Sequence, residues 1–201
     1  MIVVNGGSRT DLQEALRRSA RRHSKLCPRQ VLGVRLAMAA AAALGLEVPR
    51  SDKRLLVVSE TDGCFVDGVE AVTGCSVGHR TLRIEDYGKV AATFVDTLTS
   101  RAVRLAPRLD VRQRALSCAP DEAGHYVAQL RAYQVMPDEE LFAVQEVRLA
   151  APVEALISRA AVRVNCDACG EEIINERQVV RDGRTLCRAC ASVPYYLPAG
   201  R

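Results

Sequence analysis

This 201-residue chain has no tryptophan and few aromatic residues of any kind, 4% in all. Nor does it carry a large excess of charge: 28 Lys and Arg stand against 24 Asp and Glu, a formal net charge of +4. An imbalance that small does not argue for a nucleic-acid partner. No apolar run is long enough to cross a bilayer; the longest, Leu36 to Leu46, is short and rich in alanine. Met1 to Asp11 has no basic region followed by an apolar stretch, so no secretory signal is read there. Internal repeats and low-complexity tails are also missing. The expectation is a cytosolic protein with no membrane association. In a reducing compartment its eight cysteines are metal ligands or working thiols and not a disulfide framework.

What is present suits a globular body with a small appendage, since 48% of the residues are hydrophobic. Leu12, Ala15, Leu16 and Ala20 recur at helical spacing, which predicts a first helix over 9–22. Pro28 suits the first position of a second helix that runs on to Leu44 and stops at Gly45. Arg54 to Glu60 is a nearly continuous apolar run, as in a buried strand. A third helix spans Cys64 to Thr73, ended by Gly74. Further strands are expected at 81–84, 91–97, 102–105 and 142–150, a helix at 107–118 and a short helical turn at 136–142. Helices and strands interleave without the regular alternation of a doubly wound sheet, so the fold class is α+β. The domains are a core over 1–150, a linker over 151–164 and a metal module over 165–195.

The module carries the strongest motif. Cys166-x-x-Cys169 and Cys187-x-x-Cys190 are separated by 17 residues, inside the range for a zinc site. Each pair sits on a tight turn that aims two thiolates at one point, and four sulfurs then surround a tetrahedral ion at roughly 2.3 Å. Asp182-Gly183 between the pairs signals a hairpin. The result is a treble clef or a zinc ribbon. Four thiolates close the coordination shell, so the zinc is structural, and its binding supplies part of the folding free energy. Arginines 177, 181, 184 and 188 are offset by Glu171, Glu172, Glu176 and Asp182, and the aromatic residues Tyr195 and Tyr196 fall beyond the last ligand. Base stacking therefore has thin support.

A second constellation lies in the core. Cys27 directly precedes Pro28, and Cys64 opens the third helix. A thiol at a helix N-terminus faces the positive end of the macrodipole, which favours thiolate. Two such thiols brought together would bind a soft metal or perform thiol chemistry. His23 precedes Cys27 by four residues. Asp67 shares the helix face of Cys64, and Cys75 and His79 flank a glycine-bearing loop. Cys118 reads as a packing or surface thiol, and His125 as a surface residue.

The order of these motifs resembles one family. His23-x-x-x-Cys27-Pro28, Glu60-Thr61-Asp62-x-Cys64-x-x-Asp67, Thr73-Gly74-Cys75-Ser76-x-Gly78, Asp86-Tyr87-Gly88-Lys89 and Pro137-Asp138-Glu139-Glu140-Leu141-Phe142 precede the paired cysteines. The sequence is similar to the FmdE family, named for formylmethanofuran dehydrogenase, over about residues 20–192. The resemblance implies an α+β core, often dimeric, with an auxiliary C-terminal treble-clef finger. It also implies a Cys- and His-lined cleft, a metal or active site, whose members here are His23, Cys27 and Cys64 with Cys75 and Asp67 nearby. The chain departs from the family's usual His-x-His-x-Cys-Pro-Gly start. Lys25 replaces the second histidine and Arg29 the glycine, and His79 stands where a lysine is common and could substitute as a ligand.

Three functions fit this pattern. The first is a homodimeric zinc protein that handles a metal or a metallated small molecule at the core thiols, or docks a protein partner, as an accessory factor of molybdenum or tungsten formylmethanofuran dehydrogenase systems. The second is an enzyme with Cys27 or Cys64 as nucleophile or as ligand to a catalytic metal. The third is a nucleic-acid-binding regulator that uses the finger. The sequence alone does not decide whether the protein is catalytic.

Overall fold

The structure, a computed structural model, describes residues 9–21, 25–122, 124–157, 161–197 and 199. The chain divides into two compact units, Met1–Ala150 and Ala151–Arg201. None of the helices among the described residues is long and apolar enough to cross a membrane.

The first unit begins with α1 (Arg9–Ala20) and α2 (Pro28–Leu44), followed by β1 (Leu55–Ser59), α3 (Cys64–Thr73) and β2 (Leu82–Ile84). Then come β3 (Ala92–Asp96), β4 (Ala102–Pro107), α4 (Val111–Cys118), α5 (His125–Val135), α6 (Asp138–Leu141) and β5 (Phe142–Val147). The five strands form one sheet in the order β2-β1-β3-β4-β5. β1 and β2 are parallel, joined by α3 as the crossover, and all other neighbours are antiparallel. Leu55 and Val57, Ala92 and Phe94, and Val103 and Leu105 alternate onto one face and enter a single core with α2. Twelve of the 17 residues of α2 are buried, and Gly45 caps it in the left-handed conformation with its N–H turned back to Ala41 and Ala42.

The predicted elements from α1 to β4 form close to their expected ends. Helix α5 carries no such signal. It buries Ala128, Ala132 and Tyr133, two of them alanines, while Tyr126, Val127 and Val135 on its other sides are exposed. Apolar residues surround this helix, so no helical period stands out in the sequence.

α2 and α3 cross at very close range. A Cβ built on Gly33 would lie 2.1 Å from the Phe65 carbonyl oxygen, and one on Gly68 would lie 2.4 Å from that of Gln30. Only glycine fits at either position, because the neighbours are backbone atoms that cannot rotate away.

The turn after β3 is pinned by Asp96, whose two carboxylate oxygens accept from Arg54 Nε and Nη2 at 2.9 Å each. Leu98 N–H and the Thr99 hydroxyl also donate to it. The Arg54 bonds, with these two donors, hold the Asp96 carboxyl down to about 2 from its ordinary 3.8. A carboxyl depressed by folding stabilises the native state above its unfolded value, and this contribution is lost as pH falls from about 4 towards 2. Asp96→Asn should therefore lower the urea midpoint at pH 7, by no more than about 2 kcal/mol and less after solvent screening at Arg54. Near pH 2 the two proteins should have similar midpoints; a difference that persists there would exclude this carboxylate as the cause.

In the second unit, α7 (Val153–Ile157) is followed by β6 (Arg163–Asn165), β7 (Glu172–Ile174), β8 (Val179–Arg181), β9 (Arg184–Leu186) and α8 (Arg188–Ala191). Two antiparallel hairpins, β6–β7 and β8–β9, supply the framework. Part of the segment read as linker is thus ordered as α7 and the start of β6.

Candidate metal centres

The two hairpins position the C-terminal cysteines. The first pair sits on the turn between β6 and β7, where Gly170 takes a φ of +77° and its N–H returns to the Cys166 carbonyl. The second hairpin closes at Asp182 and Gly183, both at positive φ as a type I′ turn requires. It delivers Cys187 to the N-cap of α8, with Cys190 in its only turn. Knuckle, hairpin and helix follow in the order of a treble clef; a ribbon would lack the helix.

One ligand atom from each of Cys166, Cys169, Cys187 and Cys190 lies within 4.8 Å of the others. The Sγ atoms of Cys169 and Cys187 are 4.0 Å apart, close to the roughly 3.8 Å edge of a tetrahedron with 2.3 Å metal–sulfur bonds. The N–H of Cys187 donates to Cys166 Sγ at 3.2 Å, and that of Cys190 to Cys187 Sγ at 3.4 Å. Backbone N–H groups of Cys169 and Cys187 pull the Cys166 thiol down to about 6. Crowding by the Cys187 and Cys169 sulfurs drives Cys190 up to about 12. Four clustered sulfurs can all be thiolates only with a cation between them, and the donor set, spacing and N–H···S bonds fit zinc. The protein is a zinc-finger protein in this region, with Ile173, Leu186 and Ala191 packed behind the sulfurs.

The core constellation forms where α2 and α3 begin. Cys27 is the N-cap of α2, and its N–H donates to Gln30 Oε1 at 2.9 Å. Gln30 is fully buried, and its Nε2 donates to the Ser19 carbonyl at the end of α1. This one amide clamps both ends of the connection that contains His23; His23 itself lies outside the described residues. The pattern is a capping box in which Cys replaces Ser or Thr. Gln three residues after a helix-starting Cys is the sequence signal that could have found it.

Cys64 is the first residue of α3 and is half-buried, as is Cys27. The two thiols interact. Burial, first, and then the Cys27 thiol raise the pKa of Cys64, with a smaller push from the charge of Asp67. Cys75 is elsewhere: it follows the far end of α3, about 15 Å along the helix from Cys64 at 1.5 Å per residue. It is 2% exposed, its Sγ faces the Leu55 carbonyl at 3.4 Å, and burial raises its pKa. His79 is exposed, its N–H bonded to Ser76 Oγ. Cys118 is exposed. Among the described residues, the C-terminal cysteines are the one group of three or more His, Cys, Asp or Glu gathered closely enough for a metal.

Two loops border the thiols, both at the carboxyl ends of the parallel strands β1 and β2, where open sheets place their ligands. The Glu60 carbonyl accepts from the N–H groups of Tyr87 and Lys89, and Asp86 Oδ1 accepts from Gly88. The Glu60 carboxylate is 7% exposed and binds Arg104 Nε and Nη2 at 2.5 and 2.7 Å, which holds its pKa below the usual range. The motif residues Glu60 and Asp86 thus position loops; Arg104 had no sequence signal, because its partner lies 44 residues away. Beside α3 is a cavity of about 470 Å³, where Asp62, Asp67 and Glu70 oppose Val66, Val77 and Ile84.

Residues 22–147 match the model of a family described as FmdE, molybdenum formylmethanofuran dehydrogenase operon. Residues 162–196 match that of the prokaryotic dksA/traR C4-type zinc finger. A probable S-adenosyl-L-methionine-binding protein of Archaeoglobus fulgidus is 30% identical over 220 residues, covering 94% of this chain and 56% of that protein. The chain therefore spans about half the length of that curated relative. The crystal structure of an FmdE-like protein of tungsten formylmethanofuran dehydrogenase type, from Syntrophus aciditrophicus, superposes with a TM-score of 0.55. It has 18% identity and covers 92% of this chain and 95% of that one. At that identity the likeness establishes the fold.

Proposed function

This chain belongs to the FmdE family, and from that premise we propose that it is a metal-handling accessory protein of molybdenum or tungsten formylmethanofuran dehydrogenase systems. The observation that carries the reading is the meeting of Cys27 and Cys64 at the N-termini of two tightly crossed helices. A soft metal ion or metallated small molecule is the cargo, Cys27 and Cys64 are its sulfur ligands, and His23 is the third donor. The paired thiols are soft donors that suit such an ion, and two helix N-termini favour their thiolate forms. The zinc finger stays structural. The proposed working form is a cytosolic homodimer.

A second reading has one observation in its favour. The cavity beside Cys64 has the volume of a small-molecule site, and three carboxylates line it. That chemistry suits a sulfonium or ammonium ligand, such as the S-adenosyl-L-methionine in the name of the archaeal relative.

One variant separates the two. Protein loaded with thiophilic metal should hold more than one equivalent per chain, and Cys27→Ser with Cys64→Ser should remove the excess and leave the finger folded. A count of one that ignores these changes would remove the metal reading. S-adenosyl-L-methionine binding measured by calorimetry should survive the same double change if the second reading holds. No heat in either protein would remove it.

A further inference from the structure

We infer that Cys27 and Cys64 form a reversible intramolecular disulfide that closes the core thiol pair to metal. The inference rests on the reading of these thiols as the functional pair, and it adds their regulation. The geometry is a facing dithiol set by the helix crossing. Gly68, four residues after Cys64, abuts the backbone of Gln30, three residues after Cys27. Each cysteine therefore lies about one helical turn from the crossing, at the mouth of its own helix, and the two thiols are in interaction range. Both are half-buried free cysteines, open enough for a small reagent. The other two cysteines of the first unit cannot compete for the bond. Cys75 is sealed in the core at the far end of α3, and Cys118 is on the surface at the end of α4.

The oxidant is a low-molecular-weight disulfide, RSSR. The Cys27 thiolate, favoured by its place at the α2 N-cap, attacks one sulfur of RSSR. A Cys27–S–SR bond forms, the S–S bond of the reagent breaks, and RS⁻ leaves. Burial keeps Cys64 protonated until then. Its proton passes to the departing thiolate, and its sulfur attacks Cys27 Sγ and displaces a second RS⁻, which takes a proton from water. In sum, two protein thiols and RSSR give one protein disulfide and two RSH. A dithiol reductant reverses the exchange. The pair then offers no thiolate to a metal, so oxidation empties the site.

The test uses the full-length, zinc-loaded protein with glutathione disulfide as probe, quenched by alkylation and read by peptide mass spectrometry. The expected product is a single Cys27–Cys64 cross-link, with loss of two alkylatable thiols, recovered by dithiothreitol, and with the C-terminal zinc retained. Cys64→Ser, or Cys64→Ala should serine disturb the helix start, should instead trap a stable glutathione adduct on Cys27. Separate adducts on both cysteines without a cross-link would overturn the inference. So would free Cys27 and Cys64 after Cys118 is fully modified. Metal binding by a pair that never cross-links sinks this inference and spares the metal reading; a cross-link in a core that takes no metal does the reverse.

Discussion

Removing zinc from this protein unfolds residues 162–196 and leaves the five-stranded unit folded. The reason is the size of the module's apolar core: Ile173, Leu186 and Ala191, with Cys166 and partly buried Val164, Val179 and Cys187, are all that pack there. A segment of under about 40 residues rarely folds on such a core without a metal or a disulfide, and its four cysteines are free. A structural zinc supplies on the order of 10–16 kcal/mol, far more than those few side chains. Cys190→Ala is the cleanest variant, because Cys190 is exposed and its truncation removes almost no packing. It should abolish zinc binding and make residues 162–196 protease-sensitive, while the urea midpoint of the first unit stays where it was. Cys118→Ala, also exposed, should change neither. A module that resists protease after full chelation would show that its fold does not need the metal.

Gly33→Ala or Gly68→Ala should destabilise the first unit more than any exposed substitution. At Gly33 the new Cβ meets Phe65 O at 2.1 Å and Phe65 C at 3.1 Å; at Gly68 it meets Gln30 O at 2.4 Å and Val34 N at 2.7 Å. These contacts must open by about 1 Å, which pushes two packed helices apart. Alanine gains up to about 1 kcal/mol in helix propensity over glycine, whereas overpacking costs about 1–3 kcal/mol when side chains can yield. Here the obstacles are backbone, so the net loss should be about 3 kcal/mol or more, read from urea denaturation. Gly78→Ala, with nothing within 4 Å of its Cβ, is the control and should cost little. The same separation would pull Cys27 from Cys64, so both glycine variants should also slow the cross-link between them. A near-wild-type midpoint for Gly68→Ala would mean that the helices do not cross this closely.

Much of the fold is legible because its signals are local. Pro28 and Gly45 mark the ends of α2 through a fixed φ and a left-handed cap, and the run from Leu55 to Ser59 reads as a buried strand because both of its faces are apolar. Asp182-Gly183 specifies a type I′ turn whatever surrounds it. The cysteine spacing could name the zinc ligands for the same reason: two knuckles fix four sulfurs within a few residues of chain each. Helix α5 escaped because its buried side is mostly alanine and its exposed side is not polar. Gln30 escaped because a buried amide looks like any other glutamine until its two partners, Ser19 and Cys27, are known.

The sequence by itself determined the local elements, the zinc ligands and the placing of Cys27 and Cys64 at helix starts, since each depends on torsions and contacts within a few residues. Tertiary structure alone decided that β1 pairs parallel with β2 and antiparallel with β3, and that Arg104 neutralises Glu60. It also decided that Cys64 and not Cys75 faces Cys27. A helix of ten residues holds Cys64 and Cys75 about 15 Å apart, so only one of them can meet the start of α2. Which one it is depends on the crossing at Gly33 and Gly68, a contact between residues far apart in the chain that no local rule encodes.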